Sequence, residues 1–186
     1  MPGQIALTFD DGPLHAKTRR LLRVLRQRRL RATFFVVGKM INRRTYREVQ
    51  QMVTDGHLLA NHTYHHDLVM VRDPHPEARI YAELQLTQAM VDIALLAESP
   101  RHFDRLRRRL LGRRAPVRFR ATLVERWPAI EKRWRALLGE FGDAHPLRMR
   151  YARPPGGNPF GRAFTAAHRR AYARAVARAG LLNILW

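Results

Sequence analysis

Thr8-Phe9-Asp10-Asp11-Gly12-Pro13 is the stretch from which this 186-residue sequence is best read. Ile5, Leu7 and Phe9 supply the apolar residues of a strand over Gln4 to Phe9, and Gly12-Pro13 ends it. Two adjacent carboxylates are therefore expected where a buried strand opens into a loop. Neighbours on a strand point to opposite sides, but a turn at its end brings both into one pocket. Two like charges that close together are costly unless a cation or a shared proton compensates. The stretch asks for a metal ion, an arginine, or both.

Outward from there the pattern alternates. Thr18 to Arg29 is predicted as a helix with Leu21, Leu22 and Leu25 on one face. Ala32 to Val37 is a continuous apolar run ended by Gly38, hence a buried strand. Thr45 to Asp55 is a second helix closed by Gly56, and His57 to Ala60 a short third strand. This alternation predicts βαβ units and a parallel sheet. Pro76 to Ala97 reads as a long helix, apolar toward its end. Arg101 to Ala144 is arginine-rich and carries Trp127, Ile130, Trp134, Leu137 and Phe141 at helical spacing, the stripe of a helix packed on its own domain or, as the rarer alternative, a docking face for a partner. Leu147 to Tyr151 is a strand leading into Arg153-Pro154-Pro155-Gly156-Gly157. A helix over Ala163 to Ala179 and a strand over Leu181 to Trp186 complete the chain.

Composition narrows the chemistry. A chain of this length holds one full-sized core, so 1–186 is read as a single domain with an arginine-rich insertion at about 101–145. There is no cysteine, which excludes disulfides, thiolate zinc sites and cysteine nucleophiles. Ser99 is the sole serine, so no serine triad can be assembled. Any metal is held by His, Asp or Glu, which suits zinc or a neighbouring divalent ion. Basic residues number 35 against 15 acidic, a net charge of +20. The arginines are scattered and accompany no nucleic-acid motif, so no nucleic-acid partner is expected; the run Arg105 to Arg114 is the candidate contact for an anionic surface. Ala89 to Ala97 is too short to span a bilayer and carries Asp92. Met1 lies a few residues before the first strand, leaving no room for a signal peptide.

After the third strand comes Asn61-His62-Thr63-Tyr64-His65-His66-Asp67. His62 and His66 are four apart, which predicts two imidazoles on one side of a helical turn, a spacing suited to one metal. Sites on parallel sheets form beyond the carboxyl ends of the strands, where the Asp-Asp pair, the histidines and Arg153 all fall.

These blocks together resemble the polysaccharide deacetylases of carbohydrate esterase family four: Thr8 to Pro13, His62-Thr63-x-x-His66, and Arg153-x-Pro155-x-Gly157. The resemblance implies an α/β fold, a distorted β/α barrel of parallel strands, present here as an incomplete set of about five. It implies that Asp11, His62 and His66 bind a divalent metal, Zn2+ first, with Co2+ or Ni2+ as alternatives. Asp10 would be the general base, Arg153 would orient it, and the backbone N–H of Gly156 would hold the oxyanion. The reaction would remove N-acetyl groups from an amino-sugar glycan, and the family works mostly at the cell envelope. His65 is expected beside the ligands without joining them; His57, His15, His75, His102, His145 and His168 are expected to be structural.

Three departures from the family pattern stand out. Gly156 replaces the usual aromatic wall of the sugar groove. The 101–145 insertion lengthens the gap between the second and third blocks. The Asp-Trp and Leu-x-His motifs, the latter with the general acid, are absent, so the chain reads as truncated and impaired. The rival readings are a non-catalytic metal-containing module that grips glycans or anionic polymers, and an arginine-rich nucleic-acid binder.

Overall fold

The computed structural model describes residues 5–112, 121–142 and 146–185. Gln4, Arg113, Arg114, Ala144, His145 and Trp186, named in the expectations above, lie outside them. Five parallel strands lie in the order β1 (Thr8–Gly12), β2 (Thr33–Val36), β3 (Leu58–Asn61), β4 (Tyr151–Ala152) and β5 (Leu182–Asn183). Among the described residues the sheet does not close on itself, as an incomplete barrel requires. Strand order follows sequence order because each strand returns through a helix: α1 (His15–Gln27), α2 (Tyr46–Thr54), a helical segment of α3 (Pro76–Leu96), α4 (Pro100–Leu111) and α5 (Leu123–Glu140), then α6 (Ala166–Arg178).

α3 is the spine. It packs against α2, α4, α5 and α6, and its last three turns are buried nearly all round, including Met90, Val91, Asp92 and Ile93. A helix apolar on every side belongs inside a core. Asp92 is tolerated there because it accepts from Trp134 Nε1 at 3.0 Å and from Gln88 Nε2 at 2.9 Å. That pair ties α5 to α3, and Trp127, Ile130, Trp134 and Leu137 are buried with it. Phe141, counted on the same stripe, is 42% exposed beyond the helix end.

Two strands are shorter than their apolar runs predict. The Gln88 side chain accepts from Met149 N–H at 3.0 Å and donates to the Leu147 carbonyl at 2.7 Å. Those backbone groups are thus bonded to α3, and β4 begins only at Tyr151. β5 keeps two residues at the sheet edge, where Leu182 is 63% exposed. Among the described residues no helix is long and apolar enough to cross a membrane.

Candidate metal centre

The ends of β1, β3 and β4 deliver the site. In the β1–β2 register Asp10 pairs with Phe35 and Gly12 with Val36, so Asp11 is an extra residue without a partner across the ladder. This is a β-bulge, and Asp11 adopts φ 68° within it. The expectation of carboxylates in a loop is corrected here: both lie inside β1, and the bulge defeats the alternation that would otherwise send them to opposite faces.

The expected helical turn between His62 and His66 is also absent. Thr63 and His66 instead take φ of 64° and 55°, left-handed values that non-glycine residues hold only when their surroundings enforce them. Asn61 does part of the enforcing. Its Oδ1 accepts from Thr63 N–H at 3.0 Å while its Nδ2 donates to the Leu84 carbonyl at 2.8 Å. Glu83, fully buried on α3, does the rest by accepting from Tyr64 N–H at 2.9 Å and His65 N–H at 2.7 Å. Burial alone pushes the Glu83 carboxyl up, but His65 and Arg79 outweigh it and hold the group below its ordinary value. Arg79 Nη2 donates to Glu83 Oε1 at 2.8 Å, and His65 Nδ1 lies 2.7 Å from the same oxygen. His65 is therefore committed beneath the turn, away from the Asp11 carboxylate.

The outcome is convergence. His66 Nε2 lies 2.9 Å and His62 Nε2 3.4 Å from one oxygen, Oδ1 of Asp11. One donor atom from each of the three residues lies within 4.8 Å of the others. Asp10 stands alongside, its Oδ2 3.9 Å from His62 Nε2.

Arg153, just past β4 and buried, links the two halves. Its guanidinium stacks over the Phe35 ring at 4.0 Å, and Nη1 donates to Thr8 Oγ1 at 3.1 Å and to Asp10 Oδ1 at 2.9 Å. Its carbonyl oxygen lies 2.7 Å from His62 Nδ1. A carbonyl only accepts, so that contact assigns the proton of His62 to Nδ1 and leaves a lone pair on Nε2. Burial is the largest influence on His62 and holds it below the ordinary imidazole value, hence neutral. A neutral nitrogen lone pair aimed at a carboxylate oxygen, with no proton between them, is an arrangement that a cation relieves. Two imidazoles and one carboxylate are also a donor set suited to zinc, with a position left open. The residues fit a divalent ion.

Gly156 sits in the turn Pro155–Gly157 after Arg153 with φ 60°. A Cβ there would meet Leu68 Cδ2 at 3.0 Å, so the space beside this position belongs to Leu68. Four of the other histidines have partners away from the site: His15 pairs with Glu48 at 2.9 Å, His57 Nδ1 accepts from Ala32 N–H, His102 lies 3.7 Å from Glu98, and His168 closes a capping box on α6. The sequence reading missed Thr8, Phe35, Asn61, Arg79 and Glu83. For the last two a signal existed, since Arg79 and Glu83 stand at i and i+4 of the predicted helix, the spacing of an ion pair.

A family model described as polysaccharide deacetylase matches residues 2–105, more than half of the chain. A peptidoglycan-N-acetylglucosamine deacetylase of Bacillus cereus is 45% identical over 62 residues, 33% of this chain and 29% of that protein. A chitooligosaccharide deacetylase of Bradyrhizobium sp. is 36% identical over 98 residues, 53% of this chain and 43% of that protein. Among solved structures, a family 4 carbohydrate esterase from Streptomyces lividans superposes with a TM-score of 0.58 at 24% identity, covering 100% of this chain and 63% of that one. The chain thus spans less than two thirds of the proteins it resembles.

Proposed function

The chain belongs to the polysaccharide deacetylase family, and from that premise we propose that it hydrolyses N-acetyl groups on an amino-sugar glycan, releasing acetate and a free amine. Asp11, His62 and His66 would hold the metal, Zn2+ by donor type, with Co2+ or Ni2+ able to replace it. Once bound, such an ion lowers the pKa of a water from ~15.7 toward ~7 and polarises the amide carbonyl.

The protein's own residues do the rest. Asp10 takes the proton of the attacking water at Oδ2, because Oδ1 is occupied by Arg153. With the general-acid motif absent from this sequence, Asp10 must also return that proton to the leaving amine, so release is expected to be impaired by ~10²–10⁴. Arg153 fixes that carboxylate and, through its carbonyl, the tautomer of His62. The backbone N–H of Gly156 donates to the developing oxyanion, a contribution typically worth ~10²–10³ in rate. Residues 1–186 act as one catalytic domain, with α4 and α5 of the 101–145 segment as part of its packing. Peptidoglycan and chitin oligomers are the substrate classes that the relatives' names suggest, and a role at the cell envelope would accord with the first of them.

The observation that supports this best is the convergence of Asp11, His62 and His66 beside an arginine-held Asp10. The test is metal analysis of the purified chain with acetate release from peptidoglycan and chitin oligomers. A divalent ion lost in His62→Ala, together with release that disappears in the same variant, is the expected result. Metal without release in the parent chain favours the non-catalytic glycan-binding module; no metal at all sinks both.

A further inference from the structure

At the other end of the sheet, α3, α5 and α6 enclose a cavity of about 480 Å³ together with the segment that enters β4. Arg148 lies just ahead of β4, which begins at Tyr151, and Arg178 ends α6 just ahead of β5, which begins at Leu182. Both stand at the amino ends of their strands, whereas Asp11, His62 and His66 stand at the carboxyl ends. The cavity is therefore separate from the metal centre.

Three guanidinium groups line it: Arg135 from α5, Arg148, and Arg178. Among the described residues Glu131 is the sole carboxylate of the lining, and it takes Arg135 Nη2 at 2.9 Å. Two positive charges are left over. Arg178 stacks on the Tyr81 ring at 4.1 Å. Arg148 lies so close to Gly180 that a Cβ there would meet its Nη2 at 3.1 Å. Among the described residues neither guanidinium meets a carboxylate or makes a hydrogen bond. Tyr81 and Gln85 stand at i and i+4 of α3 and line the same space. Both are half-buried, and among the described residues neither the Tyr81 hydroxyl nor the Gln85 amide has a hydrogen-bond partner.

A single surface arginine is solvated and needs nothing further. Two unpaired guanidinium groups, a hydroxyl and an amide in one concavity, with Arg178 already stacked in place, form a preorganised anion receptor. A phosphate monoester carries close to −2 at neutral pH and offers three strong acceptor oxygens. It matches the residual charge, and its oxygens can take guanidinium, hydroxyl and amide donors together. The volume falls within the ~300–1,000 Å³ of small-molecule sites, so the esterified part has room as well.

We propose that this cavity binds small phosphate esters, at a site that neither shares residues with the metal centre nor depends on the deacetylase reading.

Binding to the full chain is measured by titration calorimetry at constant ionic strength, with glucose 6-phosphate, inorganic phosphate, glucose and succinate as probes. Both phosphates should bind saturably, and glucose should not. Arg148→Gln with Arg178→Gln should weaken glucose 6-phosphate ~10–100-fold. Tyr81→Phe keeps the ring beneath Arg178 and removes only the hydroxyl. It should weaken binding ~2–10-fold, and it reads the site even where the double variant does not fold. Arg23→Gln with Arg47→Gln makes the same change of charge on α1 and α2 and should leave binding within about twofold. Equal loss in that control, no saturable binding of either phosphate, no effect of Tyr81→Phe, or succinate bound as tightly as glucose 6-phosphate overturns the proposal. Single-stranded DNA bound more tightly than glucose 6-phosphate, and lost in the first double variant, also overturns it and reassigns the cavity to nucleic acid.

Discussion

The carbonyl oxygen of Arg153 lies 2.7 Å from Nδ1 of His62, while the same arginine's guanidinium holds Asp10 at 2.9 Å. One residue thus sets the ligand tautomer with its main chain and the base with its side chain. The two roles are separable because a substitution removes only the second. Arg153→Ala should lower acetate release by ~10²–10³, in line with other charge-positioning losses at active sites. Metal affinity, read by competition with a chelating dye, should change far less, because the carbonyl that orients His62 remains. Equal loss of both would mean that the guanidinium supports the whole turn.

Glu83 carries the opposite expectation. It touches neither Asp11 nor the two candidate ligand imidazoles, yet it accepts the N–H groups of Tyr64 and His65 and the Arg79 guanidinium, with its own side chain fully buried. Glu83→Ala leaves a buried arginine and two backbone donors without their acceptor, at a cost of about 3–5 kcal/mol. Metal affinity should fall ~10–100-fold, the usual consequence of losing support behind a ligand. Glu83→Gln, which keeps an acceptor of the same shape, should recover part of both. Urea denaturation and metal titration of the two variants decide it.

Most of the sheet was legible because its signals are local. Ala32 to Val37 and His57 to Ala60 read as strands from their own composition, and the strands form over Thr33–Val36 and Leu58–Asn61; the three motif blocks fall at strand ends as parallel-sheet topology demands. What escaped depends on contacts far away in sequence. Nothing near Met149 announces that Gln88 will take its N–H, and so β4 starts later than its apolar run predicts. Nothing in His62-x-x-x-His66 separates a helical turn from one built on left-handed Thr63 and His66, because Asn61 and Glu83 make that choice through Leu84, Tyr64 and His65. The bulge at Asp11 is of the same kind: adjacent carboxylates are visible in the sequence, their common orientation is not.

His57 provides a pH dependence. It is buried behind β2, and its Nδ1 accepts from Ala32 N–H at 3.2 Å. Burial, the largest influence, lowers its pKa below the ordinary 6.5. The unfolded chain therefore takes up a proton at a higher pH than the folded one does. Stability from this group is complete above about 6.5 and declines as pH falls, levelling off below the folded-state value. The chain should accordingly resist urea better at pH 7.5 than at pH 5.5. His57→Asn, which keeps an acceptor for Ala32, should narrow the difference; a gap of unchanged size would show that other groups cause it.

Gly156 and Leu68 make the last expectation, and it bears on why glycine stands at a position where the family resemblance implies an aromatic. Gly156 has φ 60°, and any Cβ there approaches Leu68 Cδ2 to 3.0 Å. The contact is with the end of a side chain that is 48% exposed, so Leu68 can give way in part while its main chain stays held, its carbonyl accepting from Asn158 Nδ2 at 2.9 Å. Gly156→Ala should therefore cost ~1 kcal/mol or somewhat more, combining a left-handed backbone with a tight contact. Adding Leu68→Ala removes the contact and leaves the backbone term. In a double-mutant cycle the Gly156→Ala penalty should shrink in the Leu68→Ala background without vanishing. If it stays constant, the backbone conformation alone excludes side chains from this position, and Leu68 is a bystander at the rim of the site.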